Sequence, residues 1–238
     1  MRIAIIGYGK MGKAIEAIAI EKKHKVVLKI NSQNIEDLNE ENLNNVDVAI
    51  EFTNPHSAVN NISYLLNNHV PVVSGSTGWN SEIEKINSLC KEKNGSFLVA
   101  SNFSVGMNLF FEINRQVARL MNQYNNYNVM VEEIHHTQKK DAPSGTAITI
   151  AEQILENLKR KTKWVNAPIK SDDELEIISK RIDPAPGTHI VKYISQIDDI
   201  EITHTAHSRI GFASGAVLAA EFIYNKKGIF TMKDVLGL

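Results

Sequence analysis

Short apolar runs alternate with amphipathic stretches through the first hundred residues, and this alternation limits the possible folds more than any other feature of the chain. Residues 2–6, 26–30, 46–52, 70–74 and 96–101 are apolar or β-branched and bounded by Gly, Asn or Pro, as buried strands are. Between them, residues 55–68 put Val59, Ile62, Leu65 and Leu66 on one helical face, and residues 81–93 do the same with Ile83, Ile86 and Leu89. Strand and helix at this spacing predict right-handed βαβ crossovers and a parallel sheet. The Asn- and Glu-rich stretch 31–45 reads as a loop with a helical turn.

The first predicted strand runs into GYGKMG, residues 7–12. Gly7, Gly9 and Gly12 serve a tight turn, close approach of a pyrophosphate to backbone N–H groups, and close packing of helix on strand. Tyr8, Lys10 and Met11 fill the positions between. The pattern follows a strand, opens a helical segment through Lys22 and begins an alternating α/β region, the context in which it signifies dinucleotide binding. An acidic residue is expected at the end of the second strand to hold the adenosine ribose; the chain has Asn31 there. An amide does not repel a 2'-phosphate, and Lys10 and Lys29 are cations of the right sign, so NADPH is allowed alongside NADH. Phe52 ends the third strand. Gly75, Ser76 and Thr77, and then Ala100, Ser101, Asn102 and Phe103, follow the fourth and fifth, where ligands bind in open parallel sheets.

Composition narrows the partners. The 238 residues are enough for one or two domains, and 26 basic against 27 acidic side chains leave a formal charge of −1, with no field to draw nucleic acid or anionic lipid. A small-molecule partner is expected. A single cysteine, Cys90, excludes an internal disulfide and a thiolate metal cluster, and no apolar run approaches twenty residues, so a cytoplasmic setting is expected.

The pattern changes after Phe103. Residues 105–124 read as one long helix with Val105, Leu109, Ile113, Val117 and Leu120 on a shared face. Residues 129–135, 189–197 and 200–207 read as strands, the last two joined by a hairpin turn at Asp198 and Asp199. A second, α+β domain with a mixed or antiparallel sheet follows, carrying whatever the cofactor acts on.

That domain contains EEIHHTQKKDAPSGTA, residues 132–147. His135 and His136 stand at a strand exit, and adjacent strand residues point to opposite faces, so the pair divides its work: one imidazole as proton donor, the other bonded to an anion or a neighbour. Ser144, Gly145 and Thr146 open a helix whose face carries Ala147, Ala151, Ile154 and Leu158. Free N–H groups and the positive end of the helix dipole make that corner an anion site suited to a carboxylate. Lys139 adds charge and a second proton donor; Lys140 reads as solvated. His189, His204 and His207 show no close ligand spacing with the pair, and no metal is expected.

This stretch resembles the signature of the dihydrodipicolinate reductase family, also called 4-hydroxy-tetrahydrodipicolinate reductase, of diaminopimelate and lysine biosynthesis. EFTNP, GSTGW, SNFSVGMN and HTAHSRIGFASGA extend the resemblance through almost the whole chain. The resemblance implies that His135 is the acid/base residue and Lys139 a proton donor, and that His136, Gly145, Thr146 and Arg209 hold the substrate carboxylates. It implies hydride transfer from NADPH or NADH to C4 of a small cyclic dicarboxylate imine, with protonation of the adjacent carbon. It implies a Rossmann-type nucleotide domain over residues 1–104 to which 209–238 return, a substrate domain over 105–208, and a homotetramer. The chain departs from the family at Asn31, in its compact 169–187 segment, and at PGTH, where Gly-Glu-His is common. Another Rossmann dehydrogenase of a small acid would share GYGKMG but has no reason to combine His135, His136 and Lys139 with an anion-binding helix start; a non-catalytic NADPH sensor would bind NADPH without turnover, and His135→Gln would leave its behaviour unchanged.

Overall fold

The computed structural model describes residues 1–208 and 210–238, which fall into two compact units: 1–105 with 210–238, and 106–209. In the first, β1 (Arg2–Ile6), β2 (Lys25–Ile30), β3 (Val48–Glu51), β4 (Val72–Ser74) and β5 (Ser96–Val99) alternate with α1 (Lys10–Glu21), the short α2 (Glu40–Leu43), α3 (Pro55–Asn67) and α4 (Ile83–Glu92). The expected loop at 31–45 contains a 3-10 turn, Ile35–Asp37, as well as α2. All strand pairings are parallel, in the order β2-β1-β3-β4-β5, extended at the β5 edge by a strand from the chain's end. Alternation along β1 explains the layering: Ile3 and Ile5 enter one apolar cluster with Ile15 and Ala19 of α1, while Ala4 and Ile6 enter the opposite cluster with Ile62, Leu65 and Leu66 of α3. The strand order reverses between β1 and β3, so a crevice opens at their C-terminal ends.

The second unit holds α5 (Val105–Met121), β6 (Asn128–His135), α6 (Gly145–Asn157), β7 (Lys163–Val165), β8 (Glu174–Arg181), β9 (Gly187–Ile194) and β10 (Asp199–Ala206). Its sheet is mixed, in the order β10-β9-β6-β8-β7, with β9 antiparallel to both neighbours and β8 parallel to β6 and β7. The structure selects between the faces of α5 and corrects one expectation. The face of α5 that enters the core is Met107, Phe110, Phe111, Asn114, Ala118 and Met121; Leu109, Ile113 and Leu120 are exposed. Both faces of this helix are apolar, so periodicity alone could not select between them. The hairpin turn lies earlier than expected, where Ser195 N–H donates to the Asp198 carbonyl at 3.1 Å, and Asp199 already belongs to β10.

The chain closes with α7 (Ile210–Ile223), β11 (Gly228–Phe230) and α8 (Met232–Leu236), all in the first unit. Ala213, Ala216, Ala219 and Ala220 of α7 are buried in the cluster that holds Ile3 and Ile5. Small residues let this helix lie close: a Cβ on Gly215 would stand 1.8 Å from the Phe103 carbonyl oxygen.

Candidate active site

In the first unit, the ends of β1, β2 and β3 enclose an open cavity of about 710 Å³ lined by Gly7, Tyr8, Gly9, Asn31, Phe52 and Thr53, among others. A second hollow of about 300 Å³ shares Phe52 and adds Met11, Gly75, Ser76 and Thr77. Gly7 has φ +100° and its would-be Cβ falls 2.0 Å from the Phe52 carbonyl oxygen, so the turn out of β1 requires glycine. Gly9 caps α1 without a side chain, and no atom lies within 4 Å of its would-be Cβ. The first-turn N–H groups of Lys10, Met11 and Gly12 therefore meet an open, uncapped corner with no acidic side chain in the turn. A pyrophosphate fits such a corner. Gly12 has a packing task instead, since its would-be Cβ lies 2.6 Å from the Gly7 carbonyl oxygen.

The loops around this cavity are tied from below by Glu51, which is fully buried at the end of β3. Its carboxylate accepts from Thr53 N–H at 2.9 Å, Ser76 Oγ at 2.7 Å and Ser74 Oγ at 2.6 Å. Nothing in the sequence reading singled out this residue. Phe52 and Phe103 rings meet at 5.6 Å, which brings the Ala100–Phe103 loop beside the β3 exit; Asn102 Oδ1 accepts from Ser104 N–H. Asn31 Oδ1 accepts from Gln33 N–H at 2.8 Å, so this amide shapes its own turn. Lys29 lies 3.2 Å from Glu16 and 5.1 Å over the Tyr8 ring, and Lys10 is exposed at the start of α1.

In the second unit, β6 turns a core face into a polar one. Val129 and Val131 are buried in the apolar cluster, and Glu133 and His135 follow at the same two-residue period, both buried. His136, the next residue, is less buried, as the alternation requires. Register brings His189 of β9 opposite Glu133, and β8 ends with Arg181 opposite His135. His135 Nδ1 stands 3.3 Å and His189 Nε2 4.0 Å from Glu133 Oε2, and the two imidazole rings meet edge to face at 5.1 Å. One ligand atom from each of these three residues falls within 4.8 Å of the others, although spacing along the chain gave no sign of it. Arg181 already supplies positive charge to Glu133, at 3.1 Å. Burial pushes the Glu133 carboxyl up, but hydrogen bonds from His135 and Ser144 outweigh it and hold the group well below the usual carboxylate range. Burial, with His135 beside it, pushes His189 down to about 3, so this imidazole is neutral.

Ser144 caps α6, its Oγ accepting from Ala147 N–H at 3.2 Å, while its own N–H donates to Glu133 Oε1 at 3.0 Å. Gly145 and Thr146 form the first turn beyond, and no atom lies within 4 Å of a would-be Cβ on Gly145. The preceding loop is held by β8: Arg181 donates to the carbonyls of Lys139 and Asp141, and Thr137 donates to Asp183. Lys139 Nζ pairs with Asp141 at 2.8 Å. Arg209 lies outside the described residues. Sequence reasoning missed Glu133, Arg181 and His189, and with them β8. Leu175 and Ile177 alternate with polar residues there and are buried, a signal short enough to be lost among the charges of 170–181.

Two family models match the chain, the dihydrodipicolinate reductase N-terminus over residues 1–103 and its C-terminus over 106–236. The chain belongs to the dihydrodipicolinate reductase family. A 4-hydroxy-tetrahydrodipicolinate reductase of Christiangramia forsetii is 49% identical, covering 100% of this chain and 98% of the relative. One from Aquifex aeolicus is 40% identical over 84% of this chain and 76% of its own length. A solved dihydrodipicolinate reductase from Paenisporosarcina sp. TG-14, described as dipicolinate-bound, shares the fold with a TM-score of 0.77 at 24% identity, covering 97% of each chain. Family membership makes this chain an NAD(P)H-dependent oxidoreductase, with NADPH or NADH as cofactor. No helix among the described residues is long and apolar enough to cross a membrane.

Proposed function

We propose that the chain reduces 4-hydroxy-tetrahydrodipicolinate, by way of dihydrodipicolinate, to tetrahydrodipicolinate in diaminopimelate and lysine biosynthesis. Its 49% identity to a reductase of that name over the full chain carries the reading, and the arrangement around His135 accords with it. The bound coenzyme supplies a hydride to C4 of the ring. The residues of the second unit hold the substrate and supply the proton that the adjacent carbon then requires. His135 donates that proton, and Lys139 is the second donor. The N–H groups of Gly145 and Thr146, the imidazole of His136 and the guanidinium of Arg209 receive the two carboxylates. In the first unit, Gly7–Gly12, Asn31 and Phe52 hold the adenosine and pyrophosphate side of the coenzyme, and Gly75–Thr77 with Ala100–Phe103 the nicotinamide side.

The protein works in the cytoplasm as a homotetramer on this reading. The exposed Leu109, Ile113 and Leu120 of α5 show that the second unit carries apolar surface beyond its own core. The test mixes the purified protein with the condensation product of pyruvate and aspartate semialdehyde and follows NADH and NADPH oxidation separately. Rapid oxidation is expected. His135→Gln and Lys139→Ala are each expected to lower turnover by about two orders of magnitude while leaving coenzyme affinity near that of wild type. Wild-type protein that binds coenzyme but oxidises neither form would refute the proposal.

A further inference from the structure

Glu133 is completely buried, and each of its oxygens faces a different part of the site. Oε1 accepts from Ser144 N–H at 3.0 Å and from the Arg181 guanidinium at 3.1 Å. Oε2 and His135 Nδ1 face each other at 3.3 Å, both buried and each without a hydrogen-bond partner among the described residues, so a proton on Nδ1 would satisfy both. On the opposite edge of the imidazole, a Cβ at position 187 would come within 3.2 Å of Nε2; glycine leaves that edge clear.

We propose, on the functional reading above, that Glu133 is the positioning residue of this site: its carboxylate fixes a proton on His135 Nδ1, leaves Nε2 as the proton-donating nitrogen, and anchors the Ser144 corner that receives a substrate carboxylate. An imidazole's active nitrogen is set by the hydrogen bond that the other nitrogen makes. The step balances simply. When hydride addition leaves an electron pair on the carbon next to C4, the Nε2–H bond of the imidazolium breaks and a C–H bond forms. The pair from Nε2–H returns to the ring, which stays bonded to Glu133 as the neutral Nδ1–H form. Linking imidazole and helix start through one carboxylate keeps proton donor and anion site in register.

The groups facing His135 are Glu133 on its own strand, His189 on β9 and Arg181 on β8, with Lys139 in the loop and His204 on β10 beyond His189. Of the two imidazoles near Oε2, His135 is the closer.

The first arm of the test is nitrogen NMR of histidine-labelled wild-type protein, with His135 assigned by loss of its signals in His135→Gln. The proposal expects the neutral His135 ring to carry its proton on Nδ1; a proton on Nε2 would overturn it. The second arm is steady-state kinetics. Glu133→Gln is expected to lower kcat on the order of 10²-fold with the coenzyme KM unchanged, and to move the pH limb of kcat/KM to lower pH by about 1–3 units as the anion is lost. Glu133→Asp is expected to restore part of both, and adding Glu133→Gln to His135→Gln to lower kcat by much less than Glu133→Gln does alone, since only the Ser144 anchor is then left to lose. A Glu133→Gln variant with wild-type kcat and pH profile would refute the role. If that variant does not fold, the NMR arm alone decides. A wild-type protein without turnover refutes the reductase reading, whereas the state of His135 is still read by NMR.

Discussion

On the proposed placement of the coenzyme, Gly9 offers the sharpest separation of a residue kept for a ligand from one kept for the fold. Its φ is negative, at −96°, and its would-be Cβ meets no atom within 4 Å, so Gly9→Ala adds a methyl group to empty space. The folding cost is the poorer capping by alanine, offset by a stiffer unfolded chain, and the net is within about 1 kcal/mol. Gly7→Ala is the contrasting change. There φ is +100° and the methyl would fall 2.0 Å from the Phe52 carbonyl oxygen, which costs about 2–5 kcal/mol through strain and overpacking. With a pyrophosphate over the start of α1, the Gly9→Ala methyl occupies its place, and a loss of about 1.4 kcal/mol or more weakens coenzyme binding tenfold or more. Thermal unfolding without coenzyme and fluorescence titration with NADPH measure both quantities. The expected result is a wild-type melting temperature with weakened binding for Gly9→Ala, and a lowered melting temperature for Gly7→Ala. Gly9→Ala binding NADPH as tightly as wild type would refute the placement of the pyrophosphate.

Gly215→Ala puts a methyl 1.8 Å from the Phe103 carbonyl, more than the helical preference of alanine can offset, so a net loss of about 1–3 kcal/mol is expected in urea unfolding, with weaker coenzyme binding as the 100–103 loop shifts. Acid is expected to destabilise the protein in two stages. His189, at about 3 when folded against 6.5 unfolded, is protonated first in the unfolded chain, so stability falls as pH drops from about 6.5 towards 3, by up to roughly 5 kcal/mol. Glu133, held low when folded, adds a loss in the same direction below about pH 4.5. Unfolding free energies from about pH 7 to about pH 3 check this, and His189→Asn should flatten the upper part of the curve.

The nucleotide unit was legible because its signals are local. Each strand of residues 1–99 is a compact apolar run, and the turn after β1 carries its glycines in sequence. His135, Lys139 and the Ser144–Thr146 corner were legible as candidates for the same reason, lying within a dozen residues. What surrounds them was not. Glu133 lies two residues before His135 yet read as a strand acid, because its importance comes from Arg181 and His189, which reach it only through the register of β8 and β9. Glu51 is the same kind of case, since its partners Ser74 and Ser76 arrive on another strand. Which face of α5 enters the core was not legible for a different reason: apolar pattern records that a surface is covered, not whether the cover is its own sheet or something else.

Because α7 and β11 belong to the first unit, the nucleotide-binding half is interrupted by the other, and this orders its birth on the ribosome. When Val105 has emerged, the sheet face carrying Ile3, Ile5, Val48 and Ile50 still lacks the alanine-rich helix that covers it. At about 5–20 residues per second, on the order of ten seconds pass before that helix is made, and the inserted unit is complete by then. The later half is finished first, and the half that begins the chain must keep an apolar sheet open until the last thirty or so residues arrive.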